Sequence, residues 1–102
     1  MKQQQQATGA TPEFKHNSGA AQYELRIDGE LAAIAAYRLE GNAVRFTHTE
    51  VQPQFEGQGL GSKLAALALD DVRSSGRKAV PQCPFIAKFI EKHQKDYGEL
   101  VA

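Results

Sequence analysis

The sequence contains a single cysteine and no excess of charge of either sign: Lys plus Arg and Asp plus Glu stand at 12 each in 102 residues. One cysteine excludes an internal disulfide. Neutrality, with the basic residues scattered, removes the field that draws a protein to nucleic acid or to an anionic membrane, so neither is expected as a partner. No apolar run reaches the length of a signal-peptide core or a membrane span, which makes the cytoplasm the expected compartment. His16 and His93 are far apart and have no ligating residue at useful spacing, so no metal is expected. Residues 1–12 are rich in Gln, Ala, Thr and Gly. With so little to bury they read as a disordered tail, followed by one domain over residues 13–102.

Hydrophobic residues make up 41% of the chain, enough for a thin core in a domain that buries about 60–65% of its unfolded surface. Residues 22–27 alternate, with Tyr23, Leu25 and Ile27 on one face, and Asp28 and Gly29 then supply a hairpin turn. Residues 31–39 contain four alanines, which favour helix by propensity. Their place between that turn and a second one at Glu40, Gly41 and Asn42 predicts a central strand instead. A third strand is expected over residues 44–51, with Val44, Phe46, His48 and Glu50 on one face and Arg45, Thr47, Thr49 and Val51 on the other.

From Leu60 the apolar residues Leu64, Leu67, Ala68 and Val72 follow helical spacing, and Gly76 suits the cap. A short strand over 78–81 and a second helix over 84–93 complete the chain. Phe85, Ile86, Phe89 and Ile90 form the expected buried stripe of that helix. The sum is an α+β fold: a three-stranded antiparallel meander, a helix, a parallel fourth strand reached by a right-handed crossover, and a C-terminal helix.

Residues 51–62, Val-Gln-Pro-Gln-Phe-Glu-Gly-Gln-Gly-Leu-Gly-Ser, join the third strand to the first helix. Gly57, Gly59 and Gly61 free the backbone there, and a helix begins at the same point, so N-H groups and the positive end of the helix dipole converge on one spot. That arrangement binds anions. A dinucleotide fingerprint fails because Ser62 stands where its third glycine belongs. A P-loop fails because Ser62 separates Gly61 from Lys63, and Leu64 follows the lysine in place of a hydroxyl residue.

Three further segments, Phe-Thr-His-Thr-Glu-Val at 46–51, Leu-Asp-Asp-Val-Arg at 69–73 and Val-Pro-Gln-Cys-Pro-Phe at 80–85, give the chain its resemblance. Over residues 13–101 it resembles the GNAT N-acetyltransferase superfamily, in particular its small single-domain members with a cysteine after the last strand. The family's loop pattern [QR]-x-x-G-x-[GA] falls on residues 56–61, where Glu56 departs from it, or on residues 54–59, where every letter is met. The resemblance implies acetyl-CoA as cosubstrate and an amine as acceptor. It implies a truncated fold without the N-terminal helices that usually build the acceptor site. The coenzyme A pyrophosphate would lie on the backbone of Gly57, Gln58, Gly59, Leu60, Gly61 and Ser62, and the pantetheine arm along Thr49 to Val51. A carboxylate at position 56 repels a pyrophosphate, so it must turn outward, pair with a cation such as Lys63, or weaken binding.

Cys83 falls at the start of the second helix, where the dipole favours a thiolate, and it reads either as an acyl-accepting nucleophile or as a small buried hydrophobe. His48 and Glu50 are the candidates for the base that removes a proton from the amine. Tyr97 is expected to anchor the core. The expected function is therefore acetyl-CoA-dependent N-acetyl transfer, with a non-catalytic coenzyme A binding or sensing module as the alternative.

Overall fold

A computed structural model describes residues 11–102, so the expected tail over 1–12 lies outside the described residues except for its last two. Five strands form one sheet in chain order: β1 Glu13–Asn17, β2 Gln22–Ile27, β3 Glu30–Glu40, β4 Ala43–Val51 and β5 Lys78–Pro81. The helices are α1 Leu60–Ser74, α2 Pro84–Lys92 and the short α3 Gln94–Tyr97. The meander, the crossover and the parallel β4–β5 pair follow the sequence pattern.

Strand β1 extends the sheet beyond the expected meander. Its five residues place Phe14 and His16 toward Tyr23, the rings stacking at centroid distances of 5.8 and 4.2 Å. Two aromatics in so short a run carry little periodicity. They find their purpose only against β2. The β2–β3 hairpin turns through Asp28 (φ 53°) and Gly29 (φ 80°), both left-handed, as the twist of paired strands requires.

A register shift in β4 corrects the expected faces. Ala36 pairs with His48 but Tyr37 pairs with Phe46, leaving Thr47 without an opposite residue. A bulge of this kind inserts one residue and reverses the alternation on one side of it. Val44 and Phe46 therefore share a face with Thr49 and Val51, which lie opposite the buried Ala35 and Ala33. His48 and Glu50 turn to the other side, with Ile34 and Ala36 as neighbours across the ladder.

Helices α1 and α2 cover the face of Phe46. Leu64, Ala65, Ala68, Leu69 and Val72 of α1 are buried with Leu25, Ala33, Ala35 and Phe46 of the sheet and Ile86 of α2, one continuous core. The alanines of β3, which propensity alone would put in a helix, let α1 approach the sheet closely. Tyr97 anchors this layer as expected: it is buried, and its hydroxyl lies 3.0 Å from Asp70 Oδ1. Helix α2 ends at Lys92, with His93 as its cap, and its stripe is narrower than expected. Ile86, Phe89 and Ile90 are buried but Phe85 is 42% exposed.

On the opposite face Glu24 is almost wholly buried, yet fully partnered. Gln22 Nε2 donates to it at 2.7 Å, Asn17 Nδ2 at 3.0 Å and Arg26 Nε at 3.1 Å. The Gln22 amide does most to hold its carboxyl below the usual range; burial opposes this, and Asn17 and Arg26 assist it. No helix among the described residues is long and apolar enough to cross a membrane. Nor does any group of three or more His, Cys, Asp or Glu side chains among them stand ready to hold a metal ion.

Candidate active site

Pairing between β4 and β5 ends at Phe46 and Pro81, where the Cys83 N-H donates to the Phe46 carbonyl at 2.8 Å. Beyond that point β4 continues through Val51 with β3 as its only strand partner among the described residues, so its other edge is open there. The Gln52 N-H points to Ala32 O on β3 at 2.8 Å. By strand alternation the main-chain groups of Val51 and Thr49 point to the free edge. Parallel strands that part in this way leave a cleft beside polar backbone.

The loop after β4 forms the other wall. A short turn at Pro53–Phe55 leads into Gly57 (φ 86°) and Gly59 (φ 73°), whose left-handed conformations turn the chain into α1. A Cβ added at either glycine meets nothing within 4 Å, so the space before them is open. Lys63 N-H is the first to find a helical partner, the Gly59 carbonyl at 3.1 Å. The N-H groups of Gly57, Gln58, Gly59, Leu60, Gly61 and Ser62 have no acceptor among the described residues. Leu60 and Gly61 are themselves buried, which makes unpaired donors there costly unless a ligand takes them.

These walls enclose a cavity of about 330 Å³. It is lined by Thr49 and Val51 of β4, by Phe55, Glu56, Gly57 and Gly59 of the loop, by the first turn of α1 from Leu60 to Ser62, and by Phe85. A family model described as GCN5-related N-acetyltransferase matches residues 22–100. The chain belongs to that family. Members of the GCN5-related N-acetyltransferase family use acetyl-CoA, and the chain is an N-acetyltransferase by this membership.

Solved structures agree. A Staphylococcus aureus protein described as GCN5-like superposes with a TM-score of 0.64 at 25% identity, over 88% of this chain and 87% of that one. Two larger proteins share the fold. The ribosomal-protein-S18-alanine N-acetyltransferase of Escherichia coli gives a TM-score of 0.58 at 20% identity, over 70% of this chain and 49% of its own. N-acetylglutamate synthase of Neisseria gonorrhoeae, solved with coenzyme A and N-acetyl-glutamate, gives 0.55 at 23% identity, over 78% of this chain and 23% of its own. No curated protein sequence matches.

Within this GCN5-related N-acetyltransferase the residues expected from sequence divide into three groups. Thr49, Val51, Gly57, Gly59, Leu60, Gly61 and Ser62 line this same cavity, and Gln58 lies in the loop between them without lining it. Cys83 sits just behind: it is 4% exposed, heads α2, and its Sγ lies 3.2 Å from Thr49 Oγ1. His48 and Glu50 stand on the far face of the sheet, exposed and paired with each other at 3.2 Å. Glu56 is exposed on the cavity wall and, among the described residues, makes no ion pair with Lys63 or any other cation.

Two lining residues were not expected. Phe55 is part of the turn that carries the loop, and Phe85 was assigned to the buried stripe of α2. The available signal for Phe85 was its place directly after Cys83 and Pro84, in the first turn of a helix that begins at the site.

Proposed function

We propose that the cavity binds acetyl-CoA and that the acetyl group passes through Cys83 to an amine. The observation that carries this reading is the set of unpaired N-H groups on Gly57, Gly59, Leu60, Gly61 and Ser62, five residues that line the same cavity as Thr49, the neighbour of Cys83. Unpaired backbone donors beside a helix N-terminus suit a pyrophosphate. The free edge of β4 offers the groups of Thr49 and Val51 to the amides of a pantetheine arm, which would bring the thioester toward Cys83.

The transfer balances in two steps. Cys83 sulfur bonds to the acetyl carbon as the carbon–sulfur bond to coenzyme A breaks, and the thiol proton ends on the coenzyme sulfur. The amine nitrogen then bonds to the same carbon, the bond to Cys83 breaks, and the proton lost by the amine returns to the Cys83 sulfur. Thr49 Oγ1 is placed to hydrogen-bond the sulfur in both steps.

The base we assign is Glu50, on the part of β4 beyond Phe46 that β5 does not pair with. An ammonium arriving over the face that carries Glu50 and His48 gives its extra proton to Glu50 before attack, and the second proton, lost as the amide forms, is the one that goes to the Cys83 sulfur. The test is intact-protein mass spectrometry after incubation with acetyl-CoA alone. A gain of one acetyl group that disappears in Cys83→Ala, and on adding amine to the wild-type protein, supports the route. An unmodified Cys83 in a protein that still acetylates amines overturns it.

A further inference from the structure

Among the described residues Glu56 is the one charged member of the cavity wall. The rest of the lining is glycine, apolar side chain or hydroxyl, and Lys63, the next charged residue along the chain, lies outside it. A wall that offers unpaired N-H groups to an anion therefore carries a negative charge of its own. The carboxylate is exposed and forms no ion pair with any described cation. Rotating the side chain outward does not take it out of reach. Glu56 is bonded directly to Gly57, whose N-H is the first of the unpaired set. Ordinary bond lengths hold the carboxylate within about 6 Å of the Gly57 nitrogen in every rotamer. An anion on that N-H stands at most about 9 Å from the charge, close to the Debye length of about 8 Å at physiological ionic strength. Each negative charge on a ligand at the loop meets a repulsion that no side chain of the wall offsets.

We propose that Glu56 is a specificity-determining residue that selects a pyrophosphate diester over ligands ending in a free phosphate. This rests on the coenzyme A reading of the cavity. Backbone N-H groups and a helix dipole attract phosphate in any form, so by themselves they take nucleoside diphosphates and triphosphates as well as the coenzyme. The pyrophosphate of coenzyme A is esterified at both ends and brings one charge on each phosphorus. ADP and ATP end in a free phosphate that carries a further one. A fixed negative charge beside the donors penalises every added charge, and separates the two classes with no contact to base or sugar.

The test is a charge series, read by calorimetric titration without divalent cations on the wild-type protein and on Glu56→Gln. The probes are dephospho-coenzyme A, ADP and ATP. The first lacks the 3′-phosphate of coenzyme A, so the three differ in the charge they bring to the loop. Glutamine keeps the length of the side chain and removes its charge. At about twofold per ligand charge, Glu56→Gln should bind dephospho-coenzyme A about fourfold more tightly than the wild type, ADP about eightfold and ATP about fifteenfold. In about 1 M salt, where the Debye length falls to about 3 Å, these gains should nearly vanish. A change of loop shape would produce neither the charge ranking nor the salt dependence. Equal gains on all three probes, no gain, or ATP that fails to bind the variant overturns the role of Glu56, while a wild type that binds coenzyme A keeps the coenzyme reading. A wild-type protein that binds neither coenzyme A nor dephospho-coenzyme A overturns that reading and this inference with it.

Discussion

Thr49 Oγ1 lies 3.2 Å from Cys83 Sγ, a contact between residues 34 positions apart that ties the open strand to the head of α2. Thr49 borders the cavity and Cys83 does not, so the hydroxyl is what connects the buried sulfur to the space where a thioester would lie. Thr49→Val removes the hydroxyl and keeps the branched shape. Acetyl loading of Cys83, followed by stopped mass spectrometry, is expected to slow about tenfold, equivalent to about 1.4 kcal/mol. Loading at the wild-type rate would remove the hydroxyl from the route.

Gly59 caps α1 in a left-handed conformation with open space around it, so an added methyl group meets no neighbour but strains the backbone. Gly59→Ala is expected to lower stability by about 1 kcal/mol, read from the urea midpoint. Coenzyme affinity should fall with it, because relaxation of φ turns the loop N-H groups away from one another. A variant with wild-type stability and affinity would show that the loop conformation is not required.

Acid stability should depend on Glu24. Its carboxyl titrates below the usual range in the folded protein, the Gln22 amide being the first cause. The resulting stabilisation is present above the unfolded value of about 4.3 and is lost as pH falls through the lower folded value. Denaturation followed from pH 7 downward should show this decline in the wild type and a flatter profile in Glu24→Gln. That variant sets an amide against the donors of Gln22 and Asn17 and is expected to cost about 2 kcal/mol at neutral pH.

Alkaline stability should depend on Tyr23. Burial raises its phenol well above the ordinary value, and the bond to Asp71 Oδ2 at 2.8 Å raises it further. A raised folded value means the stabilisation is complete below the unfolded value of about 10 and falls away as pH rises beyond it. Tyr23→Phe should lose this alkaline slope while costing about 1 kcal/mol at neutral pH for the lost hydrogen bond. A slope that persists unchanged assigns it to Tyr37 or Tyr97, whose phenols burial also raises.

Much of this protein was legible in short stretches of sequence because the causes are local. Asp28 and Gly29 make a hairpin wherever two strands flank them, and the spacing from Leu60 to Val72 makes one apolar helix face. Gly57 and Gly59 before that helix, and Gly61 in its first turn, give a set of free N-H groups by the geometry of a helix start. Sequence therefore determined the meander, the crossover and the glycine-rich loop with its unpaired N-H groups.

Tertiary structure decided which residues share the site. The extra residue at Thr47 sends Thr49 and Val51 toward α1 and sends His48 and Glu50 to the uncovered face, a reversal that no period-two reading of β4 contains. A bulge arises from the fit between two strands, and so does the edge strand β1, whose two aromatics need Tyr23 to pack upon. Phe85 reads as core by helical spacing. It is left on the cavity wall because the tip of its ring reaches a glycine on another helix. Periodicity records which side of its own element a residue occupies; what lies across from that side depends on contacts between segments distant in the chain.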